Sequence, residues 1–497
     1  MPNKKGLINN LVWKFAERMA AQMVTLIVSI VLARLLDPSH YGTVAIVTIF
    51  ITLANVFVSD GFGSALIQKK DADELDFSSV LYFNIALSIL LYLVLFFLAP
   101  IIAGFYGEGY EILTPVFRVL GLRLIPAAIN SVQHAYVSKN MIFKKFFLST
   151  LLGTIVSGVV GIWMAYRDFG VWALVAQYLV STTVSTVVLM FSIGNIFVLD
   201  FSLPRLKTLF SFGWKILCTG LLITGYQELR ALIIGKLYSS ENLAYYDKGK
   251  QFPNLIVTNI NVSIGAVLFP KLANRQDNID ALKQTTRNSI RFSSYIMSPM
   301  MLGLMAVADS FVSVVLTEKW LPCVPLLQLF CVFYLFQPIH TANTQAIKAM
   351  GRGNLVLKLE LVRDVIQLAV LLVVMWFSVE AIVVSMATMS ILFVFVNAYP
   401  NIKLMNYTIK EQLSDILPNV IMACAMFTCT YPITYLPIHE FPKLILQIFV
   451  GVGVYVLLSV ITKNKEFHLI TGMLLEKLKK LLYKNVKNTH DNFNEGE

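Results

Sequence analysis

The sequence has few charged residues and few cysteines, and each shortage argues against a class of protein. Charged residues make up 14% of the 497 positions, against roughly 25% in soluble domains, so an ordinary soluble fold is not expected. The five cysteines have neither metal-ligand nor redox spacing, so we expect packing residues and no cofactor or metal. No strand precedes Gly351-Arg352-Gly353 and there is no Walker pattern, which predicts a turn and no ATP-driven pump.

Long hydrophobic stretches take the place of charge. Hydrophobic residues make up 57% of the chain, and we predict an all-α polytopic membrane protein of about 14 transmembrane helices. Each stretch has about twenty residues or more, enough to cross a hydrocarbon core of roughly 30 Å. The first lacks a small-residue cleavage site, so no cleavable signal peptide is expected. The predicted spans are residues 9–36, 42–66, 79–103, 112–138, 146–166, 171–196, 209–235, 246–269, 290–316, 323–347, 356–377, 380–400, 413–435 and 442–462.

The positive charge is distributed as in a membrane protein rather than in a nucleic-acid-binding one. The net charge is +11, and more than half of the 40 Lys and Arg residues fall in segments on the same side as the N-terminus. This is the positive-inside pattern, and it predicts that both termini are cytoplasmic. We expect the basic tail, residues 463–497, to lie on the membrane surface, and we expect no nucleic-acid partner.

An internal repeat divides the predicted helices. Trp13-Lys14 recurs as Trp214-Lys215, and Gly61–Lys69 recurs as Ser263–Lys271. Six spans precede the repeat boundary, and an even number predicts parallel repeats, the arrangement of many carriers. The predicted organisation is an N-lobe at 1–198, an interfacial linker at 199–209, a C-lobe at 210–401, two added spans at 402–462 and the tail at 463–497.

Polar residues recur at helical spacing on spans 1, 2, 4, 7, 8 and 10. Such side chains cannot face lipid cheaply, so we expect them to line one shared lumen. Cations outnumber acids on these faces, and an anionic substrate is the hypothesis that follows. The alternative is an intramembrane ion pair or a side chain that snorkels to an interface. The candidates are Lys14, Arg18, Arg123, Lys215, Arg230, Asn55, Asn130, Asn254 and Gln345.

Four titratable residues are candidates for coupling transport to a proton or another cation. His134 and His340 lie on spans 4 and 10, and an unperturbed histidine titrates near pH ~6.5. Asp60 precedes the Gly61-Phe62-Gly63 motif, and Asp309 lies near the end of span 9. Hydrogen-bonded interior residues, turns and helix caps are the competing interpretations.

Several ordered motifs resemble one family. ARLLDPSHYG and SDGFGSALIQ in the first half, with LTEKWLPCVPLLQLF and KAMGRGN in the second, resemble the Wzx-type O-antigen and exopolysaccharide flippases of the multidrug/oligosaccharidyl-lipid/polysaccharide exporter superfamily. The resemblance covers about residues 7–400. Lys248 in AYYDKGKQFP stands where relatives often carry a basic residue, so it joins the binding candidates.

The resemblance implies a non-enzymatic flippase in the bacterial cytoplasmic membrane. Its substrate would be an undecaprenyl-pyrophosphate-linked oligosaccharide, moved to the outer leaflet by alternating access between two lobes. Polymerases and glycosyltransferases are candidate partners, and a monomer would suffice because both halves lie in one chain. A cation-coupled multidrug exporter is the main alternative and would need a more acidic lumen. A membrane polymerase or glycosyltransferase would need a larger external loop or a loop carboxylate.

Overall fold

The structure, a computed structural model, describes residues 21–194, 197–273 and 278–472. Within these ranges the regular elements are all helices and no strand occurs, which confirms the all-α prediction. The α-helices are α1 (Ala21–Leu35), α2 (Pro38–Gln68), α3 (Glu74–Tyr106), α4 (Leu113–Leu120), α5 (Leu124–Asn140), α6 (Phe143–Tyr166), α7 (Val171–Ile193), α8 (Leu203–Leu237), α9 (Ser240–Ala273), α10 (Ile279–Ala306), α11 (Ala308–Val315), α12 (Val324–Leu335), α13 (Gln337–Ala349), α14 (Gly353–Val374), α15 (Val379–Met405), α16 (Ile409–Thr430) and α17 (Glu440–Ile461).

Most of these helices are long and apolar enough to cross a membrane. In the described part of the chain ten spanning segments meet both conditions, or eleven if α10 and α11, bent by 71°, count as one span. The protein is therefore a polytopic membrane protein, as predicted. The count of fourteen stays a prediction: the structure describes span 1 only from Ala21, and spans 8 and 11 fall on α9 and α14, which are not among the ten.

Local sequence sets several helix ends. At the start of α3 the Asp73 carboxylate accepts the Asp76 N–H at 3.1 Å, and the Asp76 carboxylate accepts the Asp73 N–H at 3.2 Å. Thr408 and Glu411 form the same reciprocal cap on α16. Each cap satisfies backbone donors that the first helical turn leaves free, a contribution of about 1 kcal/mol.

Predicted spans 4 and 10 are broken at equivalent points of the repeat. The 3-10 turn Gly121–Arg123 separates α4 from α5, and Phe336 separates α12 from α13. Pro126 and Pro338 follow these breaks by a few residues. Proline lacks the amide hydrogen that would continue the ladder, so the shared break agrees with the internal repeat.

The described residues form two compact units. The first runs to Asp247 and includes Val315–Trp320, and the second holds Lys248–Val314 and the residues from Leu321 onward. The predicted lobe boundaries stay a prediction. Within the predicted linker at 199–209, the residues from Leu203 onward are already the first turns of α8.

In the first unit α2 packs against α5, α7 and α8, and α6 packs along α7. Two glycines bring α2 and α8 together, because a Cβ on Gly213 would lie 2.7 Å from the Gly61 carbonyl oxygen. The segment Val315–Trp320 joins this unit through Trp320. Its fully buried indole donates to the Ala33 carbonyl at 2.8 Å and lies edge-to-face with Tyr41.

In the second unit α10 packs along α16, α16 along α17 and α12 along α15. Predicted spans 13 and 14 correspond to α16 and α17, so these added helices join the second unit through α10. One buried apolar cluster includes Leu282, Ile339, Val394 and Ile416 from four different helices. Burial of large side chains such as these stabilises by roughly 1.5–3 kcal/mol each.

Candidate functional site

Arg123 ends the 3-10 turn of span 4 and is held by two residues of α7. Its Nε donates to Thr182 Oγ1 at 2.8 Å, and its guanidinium carbon lies 5.4 Å from the Tyr178 ring centroid. The ion pairs of the described residues do not include Arg123. A cation held by a hydroxyl and a ring keeps its charge available for an anionic ligand.

Arg230 and Lys215 both lie on α8 but in different surroundings. Arg230 is only 7% exposed, and its Nη2 donates to the Tyr226 hydroxyl at 2.8 Å, with the guanidinium carbon 5.0 Å from that ring. Lys215 is exposed on the surface of the first unit. The sequence predicted that both lie on one polar face. In the structure Arg230 is buried and Lys215 is exposed.

Lys248 and Asn254 lie on α9 in the second unit. Lys248 is 5% exposed and donates to Gln251 Oε1 at 3.1 Å. Asn254 is exposed, and its Oδ1 accepts the Tyr334 hydroxyl from α12 at 3.1 Å. The two helices approach closely at Gly249, where a Cβ would lie 3.0 Å from Leu326 Cβ. Lys248 is therefore held within a packed interface.

The remaining binding candidates differ in burial and in hydrogen bonding. Asn55 Oδ1 on α2 is buried and has no hydrogen-bond partner among the described residues. Asn130 and Gln345 are half-buried on α5 and α13. Lys14 and Arg18 lie outside the described residues. Asn55 thus joins Arg123 as a polar group of the first unit that retains bonding capacity.

The coupling candidates fall in four unrelated environments. Asp60 Oδ1 accepts the Ser59 hydroxyl at 2.7 Å, and Asp60 Oδ2 would lie 2.5 Å from a Cβ on Gly220. His134 is exposed, with its ring 4.8 Å from that of Phe146. Asp309 lies in the first turn of α11. The structure does not bring these carboxylates and imidazoles together into one cluster among the described residues.

His340 is the best-defined of the four. Its Nε2 lies 3.2 Å from the Ser390 carbonyl oxygen, and its Nδ1 lies 2.8 Å from Asn397 Nδ2. The amide N–H can only donate, so Nδ1 accepts and Nε2–H donates to the carbonyl. Both nitrogens are therefore satisfied in one neutral tautomer, which favours a structural role.

Sequence reasoning missed an ionic cluster in the second unit centred on Asp415 of α16, whose side chain is fully buried. Arg287 Nε and Nη2 donate to its two oxygens at 2.8 and 2.9 Å, Arg291 Nε donates at 2.7 Å and the Tyr407 hydroxyl at 2.8 Å. Glu411 accepts from Lys283 at 2.9 Å one turn away. A signal was present: bases at 283, 287 and 291 and acids at 411 and 415 share a spacing of four residues.

A second missed cluster lies in the first unit at the start of α3. Lys69 Nζ donates to both oxygens of the fully buried Asp76, at 2.7 and 2.6 Å. Arg205 of α8 pairs with Asp73, and this hydrogen bond lowers the pKa of Asp73 to about 2. Ser78 and Ser79 accept backbone N–H groups of Val198 and Ser202, each at 2.9 Å. The chain that leads into α8 is thus fastened to α3.

This fold, with polar and charged side chains inside spanning helices, is that of a polytopic helical membrane protein. The chain belongs to the family described as polysaccharide biosynthesis protein, whose model matches residues 31–325. This match confirms the resemblance to a family of polysaccharide biosynthesis proteins that was noted in the sequence.

Similar proteins carry names from polysaccharide biosynthesis. The teichuronic acid biosynthesis protein TuaB of Bacillus subtilis is 26% identical over 61% of this chain and 62% of its own length. The lipopolysaccharide biosynthesis protein WzxC of Escherichia coli is 24% identical over 66% of this chain and 67% of its own. The chain therefore spans less than two thirds of TuaB in this match.

Two solved structures share the fold. The lipid II flippase MurJ in an inward closed conformation matches with a TM-score of 0.73 and 15% identity, over 90% of this chain and 98% of MurJ. An inward-facing MATE-family multidrug transporter matches with a TM-score of 0.60 and 15% identity, over 78% and 96%. At this identity the two structures show the fold alone.

Proposed function

We propose that the protein is a flippase that moves an undecaprenyl-pyrophosphate-linked oligosaccharide from the cytoplasmic to the outer leaflet of the bacterial cytoplasmic membrane. The observation that carries the proposal is Arg123, a cation in a spanning segment that belongs to none of the ion pairs among the described residues. A diphosphate diester carries about two negative charges, and a guanidinium can donate two parallel hydrogen bonds to phosphate oxygens. A multidrug exporter for organic cations would be disfavoured by such a cation.

The remaining candidates fit roles around this charge. Lys14, Arg18, Lys215, Arg230 and Lys248 would add positive potential along the path, while Asn55, Asn130, Asn254 and Gln345 would exchange hydrogen bonds with sugar hydroxyls. Alternating access between the two repeats would move the head group, and the prenyl tail would stay in the bilayer. The positive-inside pattern supports cytoplasmic termini. Polymerases and glycosyltransferases are proposed partners of a monomeric flippase.

Leaflet exposure of the lipid-linked oligosaccharide tests the function. Cells depleted of the protein should accumulate completed units that an impermeant sugar-modifying enzyme cannot reach. Shortened units would indicate a glycosyltransferase, and exposed but unpolymerised units a polymerase. An unchanged lipid pool would contradict the flippase and favour the multidrug exporter.

A further inference from the structure

The first unit contains a cavity of about 600 Å³ whose lining includes none of the cationic candidates. The start of α2, the 107–112 loop after α3 and the 168–172 segment before and into α7 line this open cavity, with Ser240 at the start of α9. In the predicted topology these segments lie at the external ends of their helices. The charged, imidazole and other aromatic side chains of the lining belong to His40, Glu108, Tyr110, Asp168, Phe169 and Trp172.

Both loops of the cavity have defined conformations. Glu111 Oε1 accepts the Gly109 N–H at 3.2 Å, and the Tyr110 hydroxyl accepts the Ser240 N–H at 3.1 Å, so the first loop is fastened to α9. In the second loop Gly170 has a φ of +54°, and a Cβ there would lie 3.0 Å from His40 Nε2. Only glycine lets this backbone approach the imidazole so closely.

The charges around the cavity are unlike those of a phosphate site. Glu108 and Asp168 supply two carboxylates, and the lining contains neither lysine nor arginine. Two backbone N–H groups hold the pKa of the neighbouring Glu111 below its usual value, so a third carboxylate stays ionised. Two cations of the same unit contact other groups: Lys319 lies 3.5 Å from Asp37, and the Arg167 guanidinium lies 6.0 Å from the Trp163 ring centroid.

Metal binding does not account for these residues either. Within the described ranges no group of three His, Cys, Asp or Glu side chains is placed to hold a metal ion. His40 instead keeps one ring nitrogen, Nδ1, without a hydrogen-bond partner among the described residues. The aromatic rings, the two carboxylates and His40 Nδ1 fit an uncharged or amine-bearing ligand better than an anion.

We infer that this cavity is a saccharide-binding subsite for neutral or amino sugars, separate from the cationic residues proposed for the pyrophosphate. The indole of Trp172 offers an apolar face for the C–H groups of a pyranose. The carboxylates of Glu108 and Asp168 accept hydrogen bonds from hydroxyl or ammonium groups and repel uronic acids. The inference takes its substrate class from the proposed function and adds the point at which sugars are held apart from the phosphates.

Calorimetric titration of the full-length protein in nanodiscs tests the subsite. The first probe is the oligosaccharide released by mild acid from the host's lipid-linked intermediates, without lipid or pyrophosphate. Trp172→Leu and Asp168→Asn should each weaken its binding by about tenfold or more, while Trp172→Phe should keep most of the affinity. Asparagine tolerates the positive φ of +57° at position 168.

Matched controls lie outside the cavity. Trp163→Leu removes an exposed indole of α6, and Asp71→Asn removes an exposed carboxylate near the start of α3. Both variants should bind like the unaltered protein. Equal binding by cavity and control variants, or no binding of the free oligosaccharide to the unaltered protein, would overturn the inference.

Three trisaccharides of equal size test the charge preference. Chitosan trisaccharide, which is cationic, and N,N′,N″-triacetylchitotriose, which is neutral, should bind more tightly than trigalacturonate, and inorganic pyrophosphate should not compete. Tightest binding of trigalacturonate would contradict the assignment. Because these probes lack lipid, normal leaflet transfer without saccharide binding would refute the subsite alone. Saccharide binding that depends on Trp172, without trapped lipid-linked units on depletion, would refute the flippase alone.

Discussion

Arg123 in the first unit and Arg287 in the second carry the same guanidinium in opposite electrostatic settings. Arg287 forms two hydrogen bonds with the buried Asp415 carboxylate, which also accepts from Arg291 and Tyr407. Arg123 meets a threonine hydroxyl and a tyrosine ring. A neutralised arginine fastens helices, whereas one without a carboxylate leaves its field for a ligand. Whether a cation in a spanning helix is paired with a carboxylate therefore indicates its role better than the residue type does.

The largest expected effect is on stability, at Asp415. Asp415→Ala should lower the free energy of unfolding by about 3 kcal/mol, because it leaves Arg287 and Arg291 without their buried carboxylate. Thermal unfolding of the purified protein in nanodiscs measures the loss. Asp364→Asn, which removes the partner of Arg363 in a half-exposed pair of adjacent residues, should change stability by less than about 0.5 kcal/mol. Similar losses in both variants would contradict a fastening role for Asp415.

A change at Arg123 should reduce transport and leave stability nearly unchanged. Arg123→Gln should reduce leaflet transfer of the lipid-linked oligosaccharide by about tenfold or more, equivalent to about 1.4 kcal/mol, with little change in unfolding temperature. Arg123→Lys should restore part of the activity, because the charge returns without the forked donors. Full transfer by the glutamine variant would show that Arg123 does not bind the substrate. A large loss of folded protein would place it with Arg287 as a structural arginine.

His340 tests whether a neutral, fully hydrogen-bonded side chain has a structural role or takes part in proton coupling. His340→Gln should cost about 1 kcal/mol of stability, because one of the two hydrogen bonds with Ser390 and Asn397 is lost. The pH profile of transport should stay that of the unaltered protein. A shifted pH profile in the variant would instead assign His340 to proton coupling.

The smallest effect is expected at the exposed pair of Arg205 and Asp73. Arg205→Ala should destabilise the protein only slightly near neutral pH, as is usual for a surface pair. Arg205 holds the pKa of Asp73 at about 2, below the unfolded value of about 3.9. The stabilisation is therefore present above pH ~4 and disappears as the pH falls through about 2. Unfolding temperatures of both proteins measured from pH 5 to 2 should converge at the acid end.

Much of the fold could be predicted because it depends on local properties of the chain. Apolar stretches of about twenty residues predicted the spanning helices, and the equivalent prolines Pro126 and Pro338 marked breaks that the structure contains. The motifs predicted the family correctly. The Asp415 cluster was not predicted because Arg287 and Asp415 lie 128 residues apart, and the spacing of four residues on each helix does not by itself show that the two helices pack together.

The sequence by itself determined the all-helical membrane class, the internal repeat, the distribution of positive charge and the family. Those properties follow from hydrophobicity, periodicity, charge distribution and motifs, all of which are read directly along the chain. Only the tertiary structure decided which cations are neutralised. Arg287 and Asp415 are 128 residues apart in the chain, and their oxygen and nitrogen atoms lie 2.8 Å apart in the fold. Coulomb energy depends on that distance and on burial, and neither can be read from local sequence.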